Sequence, residues 1–476
     1  MISSDTICAT ATAPGTGALG IIRISGKEAI AITNRIFKGK DLEQVASHTV
    51  HYGFIVESQK LSAPITTRPI PPEKSSVSSN ALIIDEVMVT VFRAPKTFTA
   101  EDLVEITCHG SPYIQEQIIS LLLKNGCRLA QPGEFTQRAF LNGRIDLVQA
   151  EAVADLIAAE NKASHEIALN QMRGGISNDL QQVREKLIHL TALIELELDF
   201  TEEDVEFANR DELRALIQDL QVQIQKLLAT FEYGNAIKNG VPVAIFGKPN
   251  AGKSTLLNAL VNEERAIVSD IAGTTRDVIE ETVHLQGITF RFIDTAGIRQ
   301  TQDQIEAIGV EKAKEKVQQA RVVIHLYEQD LSILDELASQ LEGKIVFNLL
   351  SKSDKNSKSD EYFEQLQKEF PQYHHFGISV KTGYHLDRLQ TALVRSITSG
   401  VDHQAVIITN LRHKEALEKT QNALQETQQG LDLELSGDLL AIHLKEALYY
   451  LGSITGQIDV DTDILGTIFG KFCIGK

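Results

Sequence analysis

The chain of 476 residues is long enough for about three domains, and its apolar content of 43% is ample for buried cores. Its 46 basic and 64 acidic residues give a formal net charge of −18, which argues against a general nucleic-acid binder, because such proteins carry a basic surface. The four cysteines form no C-x-x-C pair, so they predict neither a zinc site nor a disulfide framework. A cytoplasmic protein is expected, since the first 25 residues resemble no secretory leader and no run reaches membrane-spanning length.

The N-terminal part, residues 1–141, mixes strand-like and helix-like segments and predicts an α/β domain. Apolar runs at residues 21–24 and 87–92 predict strands, and the run at 114–123 predicts a helix. Residues 57–80 carry four prolines and clustered serines, which is typical of a surface insertion.

From about residue 143 the pattern becomes helical. Apolar residues recur at steps of three and four over 180–194 and 213–227, which predicts two long amphipathic helices. Residues 241–398 alternate strand-like and helix-like segments, the pattern of a doubly wound α/β domain, and 402–458 return to helix. The predicted fold class is α/β plus α, with these domains: an N-terminal α/β domain over 1–141, a split helical domain over 142–238 and 400–476, and an inserted P-loop, Ras-like domain over 239–399.

The inserted domain begins with a phosphate-binding loop. Residues 247–255 fit G-x-x-x-x-G-K-[ST], with Gly252, Lys253 and Ser254 in the fixed places. An apolar run precedes the loop and a helix-like run follows it, the context that separates this motif from a chance glycine turn. Lys253 is expected to reach the β- and γ-phosphates, and Ser254 to ligate Mg²⁺ beside the helix N-terminus.

Two further phosphate motifs follow in order. The segment 273–277 reads Gly-Thr-Thr-Arg-Asp, and we assign Thr275 to the γ-phosphate and Mg²⁺. A hairpin-like pair with its turn at Gly287 then leads into Asp-Thr-Ala-Gly at 294–297. Its aspartate would hold the water shell of Mg²⁺, and its glycine N–H would contact the γ-phosphate.

Base recognition is predicted after a strand over 344–350. The chain reads Ser351-Lys352-Ser353-Asp354, where guanine-binding proteins carry Asn-Lys-x-Asp. Asp354 can accept from guanine N1–H and N2–H, Lys352 can stack its stem on the base, and Ser351 departs from the usual asparagine. The motifs in this order predict a GTPase. The predicted GTP-binding residues are Asn250, Ala251, Gly252, Lys253, Ser254, Thr255, Ser269, Asp270, Ile271, Ala272, Gly273, Thr274, Thr275, Asp294, Thr295, Ala296, Gly297, Ser351, Lys352, Asp354, Ser379, Val380 and Lys381.

A water-orienting glutamine is missing. Many GTPases carry it after the D-x-x-G glycine, where this chain has Ile298. Either the protein is a slow switch that needs an outside activator, or another group in the chain acts instead. Arg276 could serve as a finger, but the adjacent Asp277 makes structural pairing the preferred interpretation. Glu306 is a candidate for positioning water, although by spacing alone such a residue is more often a solvated charge.

Taken together, these motifs make the chain closely resemble the MnmE (TrmE) family of tRNA-modifying GTPases, within the TrmE-Era-EngA-like class. The most specific matches are the segment 132–142 and the terminal Cys-Ile-Gly-Lys at 473–476, neither of which belongs to general GTPases. The resemblance covers the whole chain. It implies modification of the tRNA wobble uridine at C5 with an aminomethyl or carboxymethylaminomethyl group, together with the FAD-dependent partner MnmG.

The resemblance also implies cofactors and assembly. The one-carbon unit would come from 5,10-methylene- or 5-formyl-tetrahydrofolate, held by an N-terminal domain that forms a homodimer, and MnmG would complete a heterotetramer. The GTPase domains would pair when GTP and K⁺ bind, so that K⁺ replaces an arginine finger. K⁺ would be held by Asn250, Ser269, Ile271 and Thr274, and Glu306 matches the family's water-positioning glutamate.

The implied folate-contacting residues are Arg23, Glu105, Arg144 and Lys476. A carboxylate such as Glu105 suits the donor-rich pterin edge, and cationic groups suit a glutamate tail. Arg144 stands where some relatives have lysine, which keeps the charge and changes the geometry. Cys473 is either a catalytic thiol or a small packing residue.

Two other functions stay open at this point. The chain could be a regulatory GTPase that binds RNA or the ribosome without modification chemistry, or a folate-binding one-carbon module in which GTP is structural. Binding of a reduced folate separates the first from the modification enzyme, and the activity of a hydrolysis-blocked variant separates the second.

Overall fold

The fold is given by a computed structural model that forms two compact units, one of residues 1–154 with 452–476 and the other of residues 155–451. The structure describes residues 5–57, 82–199, 210–248, 250–262, 281–293, 316–328, 331, 334, 337–355, 360–399 and 406–457.

The first unit is built on a seven-stranded sheet. Its strands are β1 Ile7–Thr10, β2 Leu19–Ser25, β3 Phe37–Lys38, β4 Thr49–Glu57, β5 Leu82–Phe92, β6 Leu103–His109 and β7 Arg128–Leu129. They lie in the order β3-β4-β5-β6-β2-β1-β7, and every pairing is antiparallel except that of β1 with β7. Buried and exposed residues alternate along β5, as expected for a sheet with one face in the core.

Helices α1 Ala29–Ile36 and α2 Pro112–Lys124 cover that buried face. Helix α3 Glu134–Leu141 follows, and its buried Arg138 forms ion pairs with Asp5, Glu101 and Glu134. Because these contacts connect α3 to the N-terminal segment at Asp5 and to the loop after β5, they fix the position of the segment that precedes Arg144.

Along the sequence, further helices precede and follow the strands of a second sheet. They are α4 Leu147–Ile157, α5 Lys162–Met172, α6 Gly175–Asp199, α7 Arg210–Ala229, α8 Phe231–Asn239, α13 Leu411–Asp432 and α14 Gly437–Thr455. The apolar stripes predicted for α6 and α7 are largely buried, including Leu187, Leu190, Leu220 and Ile224. The two long amphipathic helices of the prediction are therefore confirmed.

The second sheet has six strands: β8 Val241–Gly247, β9 Glu281–Leu285, β10 Ile288–Phe292, β11 Val322–Tyr327, β12 Ile345–Leu350 and β13 Tyr373–Gly377. Their order is β13-β12-β11-β8-β10-β9, all parallel except β9, which pairs antiparallel with β10. The accompanying helices are α9 Lys253–Asn262, α10 Ala338–Leu341, α11 Asp360–Glu369 and α12 Leu386–Thr398. The sheet is extended on both sides of β8, which places the expected ligand crevice at the carboxyl end of that strand.

Within the described ranges, none of the helices combines the length and apolar character needed to cross a bilayer.

Candidate functional site

The turn between β8 and α9 has the backbone of a phosphate-binding loop. Gly247 has φ +150°, and a Cβ there would collide with the carbonyl oxygen of Leu326 on β11, so only glycine fits. Asn250 and Gly252 have φ values of +64° and +100°. These positive φ values turn the chain tightly from the strand into α9.

Lys253 is held over this loop. Its Nζ donates to the carbonyl oxygens of Gly247 at 2.7 Å and Lys248 at 2.9 Å. Burial, together with the charge of Lys316, lowers the pKa of the Lys253 ammonium, and a bound phosphate would favour the charged form again. Lys253 and Ser254 are the first two residues of α9, so lysine charge, hydroxyl and helix dipole lie together where an anion binds.

The two base-recognition segments lie side by side because β12 and β13 pair in parallel, with Leu350 opposite Gly377. Ser379 donates from its hydroxyl to Asp354 Oδ1 at 2.7 Å. The Ser353 N–H donates to the Ile378 carbonyl at 3.1 Å. The carboxylate predicted to bind guanine is thus oriented by the neighbouring loop that carries Val380 and Lys381.

Lys352 and Ser351 complete this edge. Lys352 has φ +57°, and its Nζ pairs with Glu328 Oε1 at 2.5 Å. Ser351 is 5% exposed, and its N–H donates to the Tyr327 carbonyl at 2.8 Å. Its hydroxyl has no hydrogen-bond partner among the described residues. Sequence reasoning missed Glu328, which could have been found only as the acidic residue directly after a strand that ends at the site.

The described parts of the predicted GTP site therefore share one edge of the sheet, since parallel strands end on the same side. The remaining predicted residues lie outside the described residues: Ser269, Asp270, Ile271, Ala272, Gly273, Thr274, Thr275, Asp294, Thr295, Ala296, Gly297 and the candidate catalytic Glu306. Of the residues predicted to bind Mg²⁺ or K⁺, Ser254 and Asn250 lie within the described part of the chain.

A second cluster forms in the first unit, where β2 and β6 place Arg23 opposite Glu105. Arg23 Nε and Nη2 lie 2.9 Å and 2.8 Å from Glu105 Oε1. The Arg23 guanidinium lies 5.4 Å from the ring centroid of Phe98, and that of Arg144 lies 5.8 Å from it. Arg144 also donates to the Phe98 carbonyl at 3.1 Å.

Two of the four predicted folate residues, Arg23 and Arg144, thus contact one aromatic ring, and a third, Glu105, pairs with Arg23. A flat ring, a carboxylate and two guanidinium groups are the groups expected for a heteroaromatic ligand with an anionic tail. Phe98 was missed from the sequence, where it is one aromatic residue in the loop after β5. Lys476 and Cys473 lie outside the described residues.

Comparisons with known proteins cover both units. The family model described as "GTP-binding protein TrmE N-terminus" matches residues 6–144, and that described as "MnmE helical domain" matches residues 147–473. Proteins named tRNA modification GTPase MnmE from Bacteroides fragilis (strain YCH46) and Flavobacterium johnsoniae are each 48% identical, with 100% of both chains covered. The one from Cytophaga hutchinsonii is 47% identical over 99% of this chain and 98% of its own. The solved G domain of the T. maritima FeoB iron transporter is 27% identical over 33% of this chain and 97% of its own, with a TM-score of 0.25, which is too low to support an argument.

Proposed function

Because the chain belongs to the MnmE family of tRNA modification GTPases, we propose that its GTP hydrolysis drives modification of the tRNA wobble uridine at C5. The observation that carries this proposal is that a phosphate loop and an oriented Asp354 follow the carboxyl ends of the parallel strands β8 and β12, at one edge of the same sheet. The first binds the triphosphate, and the second distinguishes guanine from adenine.

Guanine selectivity follows from hydrogen-bond matching. The Asp354 carboxylate accepts from the ring N1–H and the exocyclic N2–H of guanine, and adenine offers no such pair of donors there. When adenine occupies such a site, the carboxylate has no donor to pair with. This loss can be worth a factor of about 10⁴ or more in discrimination between the two bases. Ser379 strengthens this selection because its hydroxyl holds the carboxylate in place.

Two cations are proposed for this site. Mg²⁺ would be bound by Ser254 and Thr275, and Ser254 fits this role because it lies in the first turn of α9 beside Lys253. K⁺ would be held by Asn250, Ser269, Ile271 and Thr274. The Asn250 backbone is left-handed, a conformation that asparagine tolerates better than most residues. When bound, K⁺ would offset the charge that develops on the phosphates. Glu306 would orient the attacking water, the role of the glutamine that many GTPases carry where this chain has Ile298.

The cluster around Phe98 is the proposed site for a tetrahydrofolate one-carbon donor. Glu105 would accept from the pterin edge, the Phe98 ring would stack on it, and Arg144 with Lys476 would bind the glutamate tail. Cys473 would lie at this site, either as a reacting thiol or as a packing residue. The FAD-dependent MnmG is the proposed partner that completes the modification with tRNA, in the cytoplasm.

A homodimer is proposed through the N-terminal domain, residues 1–141. The other proposed domains are the helical domain over 142–238 and 400–476 and the GTPase domain over 239–399. Val50, Tyr52 and Met88 are 58%, 61% and 47% exposed. They lie on one face of the β4–β5 pair, with Tyr52 directly opposite Met88. A second copy would bury this apolar patch.

The deciding experiment supplies the full chain, MnmG with FAD, unmodified tRNA, GTP, a methylene-tetrahydrofolate and ammonium or glycine as the nitrogen source, and measures modified wobble uridine by mass spectrometry of nucleosides. We expect product with the wild type, and none with Lys253→Ala, which loses the phosphate-binding ammonium. A wild type that hydrolyses GTP without forming product would favour the regulatory GTPase. Full product from Glu306→Ala, which should bind GTP without hydrolysing it, would favour the folate module in which GTP is structural.

A further inference from the structure

In the second unit, helix α5 of the helical part makes a polar contact with strand β10 of the GTP-binding part. Asn161 is the N-cap residue of α5, and its Nδ2 donates to the Thr289 hydroxyl on β10 at 3.1 Å. Thr289 is 8% exposed, and its hydroxyl also lies 2.9 Å from His284 Nδ1 on β9. This hydrogen bond therefore reaches both strands of the β9–β10 hairpin from a neighbouring helix.

Apolar packing supports the same contact. Ala163 and Ile167 of α5 pack against the apolar core that the second sheet shares with α8. At the hairpin turn, a Cβ added to Gly287 would lie 3.4 Å from the Cβ of Ala163. The N-terminal turn of α5 thus lies directly on the tip of the hairpin.

The hairpin is held by the sheet on one side only. β10 pairs with β8 in the register Phe290 to Val241, while β9 is the outermost strand of the sheet. A cavity of about 370 Å³ lies beside the contact and is lined by Asp155, Lys238 and Arg291 among others. Close packing resists displacement of a structural element. Since the cavity reduces packing on this side of the hairpin, the Asn161 hydrogen bond contributes a larger share of the contacts that hold the hairpin in place.

The hairpin also joins two of the predicted nucleotide motifs in the sequence. β9 begins at Glu281, four residues after the Gly-Thr-Thr-Arg-Asp segment 273–277 ends. β10 ends at Phe292, two residues before Asp294 of the Asp-Thr-Ala-Gly segment. A displacement of the hairpin therefore moves the chain that leaves the first motif and enters the second.

From these observations we infer that the Asn161–Thr289 hydrogen bond is a positioning contact, through which α5 holds the β9–β10 hairpin in the place that GTP hydrolysis requires. Neither side chain is assigned to the nucleotide itself. The inference rests on the proposed GTP site, and it gives the helical domain a direct influence on the rate of hydrolysis.

The test measures steady-state GTP hydrolysis by the full chain in K⁺ buffer, with the Kd for GDP measured in parallel. Thr289→Val keeps the shape of the side chain and removes the hydroxyl. We expect kcat to fall about fivefold, the factor that one buried hydrogen bond of about 1 kcal/mol represents. The Kd for GDP should stay within about twofold of wild type, since Lys253 and Asp354 lie on other elements and a change below that factor is under 0.5 kcal/mol.

Matched variants separate positioning from folding. Thr289→Ser restores the hydroxyl and should restore kcat. Thr282→Val makes the same substitution at an exposed position of the same hairpin and should leave kcat unchanged. Asn161→Ala and Ser164→Ala each break the capping box of α5, but only Asn161 contacts Thr289, so only Asn161→Ala should slow hydrolysis.

The outcomes that overturn the inference are distinct from those that overturn the proposed function. Equal kcat for wild type and Thr289→Val, or a fivefold loss of GDP affinity that accompanies the loss of kcat, means that Thr289 serves only the fold of the hairpin. A wild type without GTP turnover overturns the proposed function and this inference with it.

Discussion

The Ser379 hydroxyl donates to the Asp354 carboxylate across 2.7 Å and joins the two loops that are predicted to enclose the guanine base. Asp354 follows β12 and Ser379 follows β13, so this contact depends on the parallel pairing of those strands. A carboxylate held in this way is already oriented before the base arrives, which reduces the ordering cost of binding.

Ser351 provides the first prediction. Its hydroxyl is buried and has no partner among the described residues, whereas the asparagine usual at this position braces the base loop. We expect Ser351→Asn to bind GTP about fivefold to tenfold more tightly, because one hydrogen bond of about 1 kcal/mol is gained. Ser351→Ala is the control and should bind GTP as the wild type does. Nucleotide titration by calorimetry measures both, and an asparagine variant that binds no more tightly contradicts the account.

Potassium dependence is the second prediction. An arginine finger contributes about 10³–10⁵ in rate, so a cation in its place should have a large effect, and we expect turnover in K⁺ buffer to exceed that in Na⁺ buffer by at least about tenfold. Asn250→Gly keeps the left-handed backbone and removes the proposed ligand. Its turnover in K⁺ should fall to the Na⁺ level while GDP still binds. Equal wild-type turnover in the two salts would exclude this role for K⁺.

The third prediction concerns the cluster around Phe98. Glu105→Gln should weaken binding of 5-formyltetrahydrofolate by about tenfold or more, because hydrogen bonds to a charged group contribute about 1.5–3 kcal/mol each. Calorimetric titration of the full chain measures this. Glu28→Gln, at an exposed carboxylate of the same unit, should bind folate normally. Unchanged affinity in the Glu105 variant would remove that residue from the site.

A buried polar chain crosses the second sheet and gives the fourth prediction. His325 Nδ1 lies 2.7 Å from Asn348 Oδ1, and Asn348 Nδ2 lies 3.3 Å from His375 Nδ1. His375 Nε2 donates to the Phe370 carbonyl at 3.1 Å. His375 Nδ1 therefore accepts a hydrogen bond, which requires the neutral ring. Burial, with a smaller effect of His374, lowers the pKa of His375.

A lowered pKa in the folded state means that the unfolded chain binds the proton more readily. The contribution of His375 to stability is therefore full above about pH 6.5, the usual value for histidine, and is lost as the pH falls toward its lower folded pKa. We expect the free energy of unfolding in urea to decrease between pH 7.5 and pH 5.5, and less steeply in His375→Gln. His189→Gln, at an exposed position of α6, is the control. Identical slopes for wild type and His375→Gln would contradict this assignment.

The phosphate loop could be predicted from the sequence because its determinants are local. Gly252, Lys253 and Ser254 are fixed by the spacing of one motif, and the strand and helix around them have clear apolar patterns. The helical stripes of α6 and α7 were predictable for the same reason, since their periodicity is read within each helix.

Contacts between strands were not predictable in this way. Glu328 pairs with Lys352 only because β11 and β12 are neighbours, and the His325–Asn348–His375 chain requires three strands in one order. Phe98 contacts Arg23 through the packing of a loop on a sheet. Periodicity does not specify which strands become neighbours, so these residues needed the structure.

The most direct test of the account exchanges the base that the site selects. Asp354→Asn should accept xanthine. Xanthine has a carbonyl where guanine has its amino group, and this carbonyl can accept a hydrogen bond from the asparagine amide. We predict that wild type hydrolyses GTP in strong preference to xanthosine triphosphate and ATP, and that Asp354→Asn reverses the preference between GTP and xanthosine triphosphate. Wild-type hydrolysis of ATP as efficient as that of GTP, or an Asp354→Asn variant with unchanged preference for GTP, would contradict the guanine site on which the proposed function depends.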